Sequence, residues 1–291
     1  VALAQAGSDV VLIDGRRLGD GASGRNGGQL GTGQRSWVED LEAEIGFTRA
    51  KALFDLAEEA KAHLLSFAAG HKIDIEYMPG QLSVTHKQRL LPAYRRHADY
   101  MRERVGYQHI AFMDREETVS RLGSTHYFGG IRDTGTGHIN PLKLVVGTAR
   151  VAAAAGAKIF EHTPATGIRS EGGKVTVTTQ RGTITADHCL LAANAHIDGL
   201  EKQTARHVMP IGSFIGATPP LPPDTSVLPG GESVDDSRFV VRYFRKSRDN
   251  RLLFGGREVY SKANPGDISH QIRRQIAEIY PTLRNTEITH A

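Results

Sequence analysis

The sequence predicts a mixed fold, in which an α/β part and an α+β part form two interleaved domains. A short apolar run at 9–14 ends in an acid and opens into a glycine-rich loop, which is typical of a nucleotide-binding sheet. Helices and a hairpin follow, then a return helix with its strand, and finally mostly antiparallel strands. The first strand and the return strand lie on either side of the helices and the hairpin. We therefore expect two domains that interleave along the chain instead of following one another.

The composition limits the class of protein. The 291 residues are 39% hydrophobic and 23% charged, with a net charge of +4, which is ordinary for a soluble chain of one or two domains. No apolar run approaches the ~20 residues of a membrane span, and scattered positive charges give little support for a nucleic-acid partner. The single Cys189 excludes an internal disulfide. It lies in an apolar run, so we expect a buried thiol and a reducing, cytoplasmic setting.

The elements follow from local patterns. Residues 1–6 are typical of the end of a helix, and 9–14 of a strand. The segment 15–35 holds eight glycines and few aliphatic residues, which indicates a loop that needs backbone freedom or approaches a ligand closely. Helical periodicity covers 36–70. Between 73 and 141, we expect a hairpin in 73–85 around Pro79-Gly80, helices at 87–105 and 114–122 (capped by Asp114), and two short strands in 127–138. From 142 to 193, we expect a helix at 142–155 after Pro141, a strand at 158–161, a meander of 165–168, 175–179 and 183–186, and a strand covered on both faces in 187–193. The remaining elements are a strand region at 205–218, a rigid connection at 219–223, paired strands at 239–244 and 252–256, and a helix at 268–280.

Asp14 ends the first strand. In a dinucleotide-binding unit, an acid at the end of the second strand bonds the ribose, ~20 residues beyond the first glycine of the phosphate loop. Asp14 fits that role, although an acid that merely caps a strand end would look the same. Counting back from Asp14 passes residue 1, so we expect the phosphate loop to lie outside this sequence and the sequence to be a fragment.

The loop 21–29 is the second candidate site. Backbone N–H groups of residues 22–24 can form an anion-binding nest, and Arg25 adds a positive charge. Adjacent Gly27 and Gly28 let the backbone approach a flat ring. A flexible surface linker is the alternative, but such linkers repeat Ser and Gly. Single Arg, Asn and Gln residues favour a ligand-binding loop.

The motif GASGRNGGQ at 21–29 resembles the second-strand signature of the FAD-dependent amino-acid and amine oxidases. This is the D-amino-acid oxidase, glycine oxidase and sarcosine oxidase group, the DAO family, and the motif closely resembles its gamma-glutamylputrescine oxidase branch. Residues 137–144 resemble the family's helix-opening motif, 156–168 its return strand, and 186–195 the strand beneath the flavin. The resemblance spans nearly the whole chain.

The resemblance implies an α/β fold with an α+β substrate domain. An incomplete FAD/NAD(P)-binding Rossmann-like domain (1–75 and 140–205) would interleave with an antiparallel-sheet substrate domain (76–139 and 206–291). The family's amino-terminal GxGxxG loop and its carboxy-terminal flavin-covering segment are missing from the sequence. We therefore expect this chain, made as written, to bind FAD weakly or not at all. A flavin absorbance band that survives desalting at stoichiometric level would refute this.

The resemblance also implies the cofactor contacts. Asp14 would accept hydrogen bonds from the adenosine ribose, Arg16 would lie near the adenine, and the backbone of Ala165 would touch the adenine. The other implied contacts are Ser23 with the pyrophosphate, Arg25, Asn26, Gly27, Gly28 and Gln29 along the ribityl chain and isoalloxazine, and the small residues Ala192, Ala193 and Asn194 near the diphosphate.

The catalytic candidates are His138, Arg242 and Tyr243. In this family, the substrate amine loses hydride directly to the flavin, so no protein nucleophile is needed. His138 stands just before Asn140-Pro141, although a histidine that bonds a turn explains that position at least as well. Arg242 or Tyr243 could face a substrate carboxylate, with an outward-facing Arg242 as the alternative. The thirteen histidines show no metal-ligand spacing, so we expect no metal site.

The sequence therefore predicts an FAD-dependent oxidoreductase that oxidises the C–N bond of an amine or amino acid. Its partners would be that small-molecule substrate and O2, and gamma-glutamylputrescine, a substrate of polyamine catabolism, follows from the resemblance to one branch. Two alternatives stay open. One is a flavin dehydrogenase with another electron acceptor, and the other is a non-catalytic binding or interaction module that has lost its cofactor loop.

Overall fold

The structure is a computed structural model that describes residues 1–197, 199–259 and 266–291. The chain forms two compact units. Val1–Arg25 and Leu142–Gly212 make up most of the first, whereas Asn26–Pro141 and Ser213–Glu258 belong to the second. The two units therefore interleave along the chain, as predicted.

The functional domains expected from the sequence remain a prediction. They would assign 1–75 with 140–205 to the cofactor and 76–139 with 206–291 to the substrate. In the compact units of the structure, residues 26–75 pack with the second unit.

The first unit contains two small sheets. A parallel pair joins the strand that precedes Asp14 to the strand after the return helix, with Leu12 opposite Ile159. An antiparallel meander follows, as predicted. Its elements are α1 (Ala2–Gln5), β1 (Val11–Ile13), most of α6 (Pro141–Ala154), β6 (Lys158–Phe160), β7 (Ala165–Glu171), β8 (Lys174–Thr179), β9 (Gly182–Ala186) and α7 (Lys202–Ala205).

The apolar run 187–193 does not form the predicted strand. It has no regular structure, Leu190 is 86% exposed, and the Cys189 thiol is exposed rather than buried. A strand needs a neighbour whose backbone groups it can hydrogen-bond. This run pairs with no strand of the described residues, so its apolar composition alone does not order it.

Five helices of eight residues or more belong to the described part of the second unit. The predicted helix 36–70 is interrupted at Gly46, whose φ of +82° lies outside the helical region. Asp114 caps the helix Arg115–Leu122 as predicted, because its carboxylate accepts the Glu117 N–H at 2.9 Å. These helices are α2 (Val38–Ile45), α3 (Phe47–Gly70), α4 (Leu91–Tyr100), α5 (Arg115–Leu122) and α8 (Ile268–Ile279).

An eight-stranded mixed sheet dominates the second unit. Its strand order is β10-β13-β12-β11-β3-β5-β2, and β4 pairs beside β5. Strand β11 runs parallel to β3. The pairs β11–β12, β12–β13, β2–β5, β3–β5 and β4–β5 are antiparallel. The strands are β2 (Gln29–Leu30), β3 (Met78–Val84), β4 (Ile110–Met113), β5 (Gly130–His138), β10 (Gly212–Pro220), β11 (Ser233–Asp236), β12 (Tyr243–Lys246) and β13 (Arg251–Val259).

The predicted hairpin at 73–85 is wrong. Residues 78–84 form one strand, and Gly80, with φ of +97°, lies in a bulge where the register to β5 shifts. A Pro-Gly pair favours a turn locally, but β3 has a partner on each edge, and a bulge accommodates the turn residues without ending the strand. The two short strands expected in 127–138 are likewise one strand, β5, and strand β10 continues through the first two residues of the expected proline connection.

In β3, β11 and β12, alternation separates apolar from polar side chains. Leu82, Val234 and Phe244 lie opposite one another across three strands and share a buried core with α8. Their sequence neighbours point to the other side, where Ser83, Asp235 and Tyr243 are likewise opposite one another. We call Gln81, Ser83, Asp235, Tyr243 and Arg245 the polar face of the sheet.

Within the described ranges, no helix has the length and apolar character to cross a membrane. The same ranges contain no group of three or more His, Cys, Asp or Glu side chains placed to hold a metal ion.

Candidate active site

Asp14 lies directly after β1, and its backbone is held by the return strand. Its N–H donates to the Phe160 carbonyl at 2.9 Å, and its carbonyl accepts the Thr163 N–H at 2.8 Å. One carboxylate oxygen, Oδ1, accepts the Arg16 N–H at 2.8 Å, whereas Oδ2 accepts no hydrogen bond from the described residues. A half-buried carboxylate with one oxygen left for hydroxyl donors suits the ribose of a dinucleotide.

The loop after Asp14 folds back on itself. The Gly24 N–H donates to the Gly21 carbonyl at 3.2 Å, so it is already used within the loop and does not belong to the expected anion-binding nest. A Cβ on Gly24 would lie 2.2 Å from the Gly19 carbonyl oxygen, so no larger residue fits there. Ser23 and Arg25 lie at the exposed surface of this loop.

The remaining predicted contacts of the first unit lie in its later segments. Ala165 begins β7, opposite Thr179, and Ala192 and Ala193 precede a short 3₁₀ turn that starts at Asn194. Arg16 is exposed, and its backbone carbonyl accepts the His162 N–H at 3.1 Å. The structure places all of these residues in the unit that holds Asp14, and their cofactor roles stay predictions.

The second half of the predicted loop lies in the second unit and is clamped to the end of β5. The Gly28 N–H donates to the Asn26 side-chain oxygen at 2.9 Å, and the Gly28 carbonyl accepts the Ile139 N–H at 2.8 Å. Gly28 has φ of +73°, and a Cβ there would lie 2.1 Å from the Ile139 oxygen. The Gln29 amide donates to the Val234 carbonyl at 2.9 Å. The left-handed backbone of Gly28 and its close packing against Ile139 therefore fix the conformation of the loop.

Arg245 is the residue that sequence reasoning missed. Its Nε donates to the Gly27 carbonyl at 2.6 Å, and the residue is only 7% exposed. Burial lowers the pKa of Arg245 to about 10, so the guanidinium is still charged at neutral pH. The available signal was its spacing of two from Tyr243, which places both side chains on one face of a strand.

Tyr243 and Arg242 point in opposite directions. The Tyr243 ring covers two glycines, since a Cβ on Gly27 would lie 3.0 Å from the ring and one on Gly255 2.2 Å from it. Arg242 instead donates to the Glu278 carboxylate of α8 at 2.6 Å, which neutralises its charge. Tyr243 therefore lies beside the predicted flavin loop, whereas Arg242 is engaged with the helix. A substrate-carboxylate role for either residue stays a prediction.

His138 is buried at the end of β5, with 3% of its surface exposed. Its Nε2 lies 2.9 Å from the Gly231 carbonyl, so Nε2 carries the proton and donates, while Nδ1 has no hydrogen-bond partner among the described residues. Burial lowers the pKa of His138 to about 4. The side chain is therefore neutral at pH 7 and bonds the segment before β11, which matches the alternative left open by the sequence. A catalytic role for His138 stays a prediction.

The buried His138 predicts a pH dependence of stability. The unfolded chain takes up a proton below about pH 6.5, but folded His138 does so only near pH 4. Stability is therefore present at pH 7 and is lost as the pH falls through this window, by about 2 kcal/mol at pH 5 from this residue. Urea unfolding of the wild type and of His138→Gln at both pH values measures it. An equal pH dependence in the two proteins would contradict the assignment.

The comparisons with known proteins agree with this geometry. The structure superposes on glycine oxidase from Geobacillus kaustophilus with a TM-score of 0.79 and 20% identity, covering 99% of this chain and 75% of that one. It superposes on L-proline dehydrogenase from P. horikoshii with a TM-score of 0.75 and 17% identity, covering 99% and 75%. These structures show the fold, which is that of glycine oxidase.

The sequence comparisons define the family. Residues 1–291 match the family described as "DAO: FAD dependent oxidoreductase". The chain is 64% identical over 289 residues to "Probable oxidoreductase OrdL" of Rhizobium meliloti (strain 1021), covering 99% of this chain and 68% of that protein. It is 31% identical over 291 residues to "Gamma-glutamylputrescine oxidoreductase" of Escherichia coli (strain K12), with the same coverage. The chain belongs to the DAO family of FAD-dependent oxidoreductases, and its cofactor is FAD.

Proposed function

We propose that the protein oxidises the C–N bond of an amine or amino acid, removing hydride from the carbon next to nitrogen. One observation carries this proposal: the polar face of the sheet lies beside the loop expected to contact the flavin, with the Tyr243 ring against Gly27. When bound, FAD supplies the hydride acceptor. The chain's task is to hold that loop and to present hydrogen-bonding side chains to a small substrate.

We assign the cofactor contacts of each unit as follows. Asp14, with a free carboxylate oxygen, would hold the ribose, and Arg16 and the Ala165 backbone would lie near the adenine. Ser23 and Arg25 would contact the phosphates and ribityl chain. The remaining assigned contacts are Asn26, Gly27, Gly28 and Gln29 along the flavin ring, and Ala192, Ala193 and Asn194 near the diphosphate.

The finer proposal concerns the substrate and the acceptor. The Escherichia coli relative, 31% identical to this chain, is named for gamma-glutamylputrescine, and this supports an acylated diamine as substrate. We further propose a role in polyamine catabolism and a cytoplasmic location. We propose O2 as the electron acceptor. The product would be an imine that hydrolyses to an aldehyde and ammonia.

Anaerobic mixing tests the proposal. The protein carrying this sequence, loaded with FAD, is mixed with gamma-glutamylputrescine, putrescine, glycine or sarcosine while the visible flavin band is followed. We expect gamma-glutamylputrescine to bleach the band fastest, and one peroxide per substrate to form when air is admitted. Putrescine acylated on both nitrogens is the matched control, because it has no free amine to oxidise.

Three outcomes would contradict the proposal in different parts. Bleaching by none of the amines would overturn amine oxidation. Faster bleaching by glycine or sarcosine would overturn the acylated diamine as substrate. Bleaching without peroxide under air would overturn O2 as acceptor and favour a dehydrogenase.

A further inference from the structure

Asp235, in the middle of the polar face, is an acid without a cation. Its Oδ1 accepts the Gln81 amide N–H at 2.6 Å and the Ser83 hydroxyl at 2.8 Å. No other described residue is shown to donate to its Oδ2, and the residue as a whole is partly exposed. No Lys, Arg or His among the described residues forms an ion pair with it. One acceptor oxygen is therefore held in place, and the other is left open.

The neighbouring acid shows the contrast. Asp236 points into the core, where it is 3% exposed, forms an ion pair with Arg238 and accepts the Tyr127 hydroxyl at 3.1 Å. Structural acids in this sheet are thus satisfied by protein cations and donors. Asp235 has neutral donors only, so packing and ion pairing within the fold do not account for its charge.

The position of Asp235 relates it to the predicted flavin loop. It lies directly opposite Tyr243 in the β11–β12 pair, and side chains so placed have Cβ atoms about 5 Å apart. The Tyr243 ring packs on Gly27. Asp235 therefore lies on the same face of the sheet as the Gly27 segment, one strand away from the strand that carries Tyr243.

The electrostatics favour a cationic partner from outside the fold. Burial, and secondarily the neighbouring Asp236, raises the pKa of Asp235. Burial raises the pKa of the Tyr94 hydroxyl of α4, and the charges of Asp235 and Asp236 raise it further, so the hydroxyl stays neutral and supplies no cation. An ammonium group is a ligand that would give Asp235 the cationic partner that the described residues do not provide.

We propose that Asp235 binds a second, non-reacting ammonium group of the substrate and so selects amines that carry two nitrogens with free amino groups. This rests on the proposed function. The reacting amine must be unprotonated to release hydride from its neighbouring carbon, and a carboxylate beside it would hold it protonated. In gamma-glutamylputrescine, the second ammonium is the α-amino group of the glutamyl part.

Two substrates that differ in this one group test the proposal. Glutarylputrescine has the same chain and the same reacting amine but lacks the α-amino group. We expect wild-type protein to oxidise both, with a KM about 10- to 100-fold higher for glutarylputrescine, the range for loss of one charged hydrogen bond. Asp235→Asn keeps the Oδ1 acceptor for Gln81 and Ser83, and it should raise the KM only for gamma-glutamylputrescine, with kcat little changed.

The controls separate this proposal from the proposed function. Asp249→Asn, at an exposed acid, should leave both KM values unchanged. If the wild type oxidises both amines with equal KM, or if Asp235→Asn changes the two KM values alike, the Asp235 proposal is overturned while amine oxidation stands. If the wild type oxidises neither, both the Asp235 proposal and the acylated diamine as substrate are overturned, and glycine, sarcosine and putrescine then test amine oxidation itself. The wild-type comparison decides the question even where Asp235→Asn fails to fold.

Discussion

In the FAD-loaded protein that carries this sequence, Gly28→Ala is expected to abolish FAD retention and to lower the free energy of unfolding by about 2 to 4 kcal/mol. The φ of +73° at this residue is strained for any residue with a Cβ, and the added methyl carbon would lie 2.1 Å from the Ile139 carbonyl oxygen. That oxygen belongs to backbone, so it cannot move aside as the end of a flexible side chain would. The contact between Gly28 and Ile139, which holds the loop against the end of β5, must therefore break.

Gly31→Ala is the matched control for this variant. Gly31 lies three residues further along the same segment, has no atom within 4 Å of a built Cβ, and has no left-handed φ. Alanine there should leave FAD retention unchanged and stability unchanged or about 0.5 kcal/mol higher. Urea unfolding and flavin absorbance after desalting measure both effects. If Gly28→Ala behaves like Gly31→Ala, the clamp is not what holds the cofactor loop.

Arg245→Met is expected to weaken FAD binding about 10- to 100-fold, while the free energy of unfolding changes by only about 1 kcal/mol. The substitution removes the charged Nε–H that donates to the Gly27 carbonyl at 2.6 Å, so the loop loses its anchor. It also removes a buried charge that forms no ion pair among the described residues, and this gain offsets the unpaired carbonyl. The large effect should therefore be on the cofactor and the small one on the fold.

Arg248→Met provides the comparison for Arg245. Arg248 follows the same strand but pairs with Asp74 at the surface, at 2.6 Å, with both side chains more than half exposed. Such exposed pairs contribute little to stability, so FAD affinity and stability should match the wild type. Titration of apoprotein with FAD, followed by flavin fluorescence, measures the affinity. Wild-type affinity in Arg245→Met would show that the anchor does not matter.

Local signals in the sequence predicted those parts of the site whose conformation is set by nearby residues. The apolar run before Asp14 forms β1, the glycines after it form a folded loop, Asp114 caps its helix, and the segments after 165 form the meander. The motif at 21–29 also indicated the FAD-dependent family correctly. Each of these features depends on backbone preferences or side-chain patterns within about ten residues, which the sequence displays directly.

Pairing between distant segments decided the rest. Strand β3 takes up Pro79 and Gly80 in a bulge because β5 and β11 flank it, whereas the apolar run around Leu190 stays irregular because no described strand pairs with it. These outcomes depend on neighbours that a local pattern cannot show.

The polar face illustrates the same division. Alternation in the sequence determines that Tyr243 and Arg245 share one side of a strand and that Arg242 and Phe244 share the other. Only the tertiary structure decides that α8 covers the side of Phe244, leaving Asp235, Tyr243 and Arg245 on the opposite side with Gly27. The physical reason is that a strand offers two equivalent faces, and the partners that bury one of them come from distant parts of the chain.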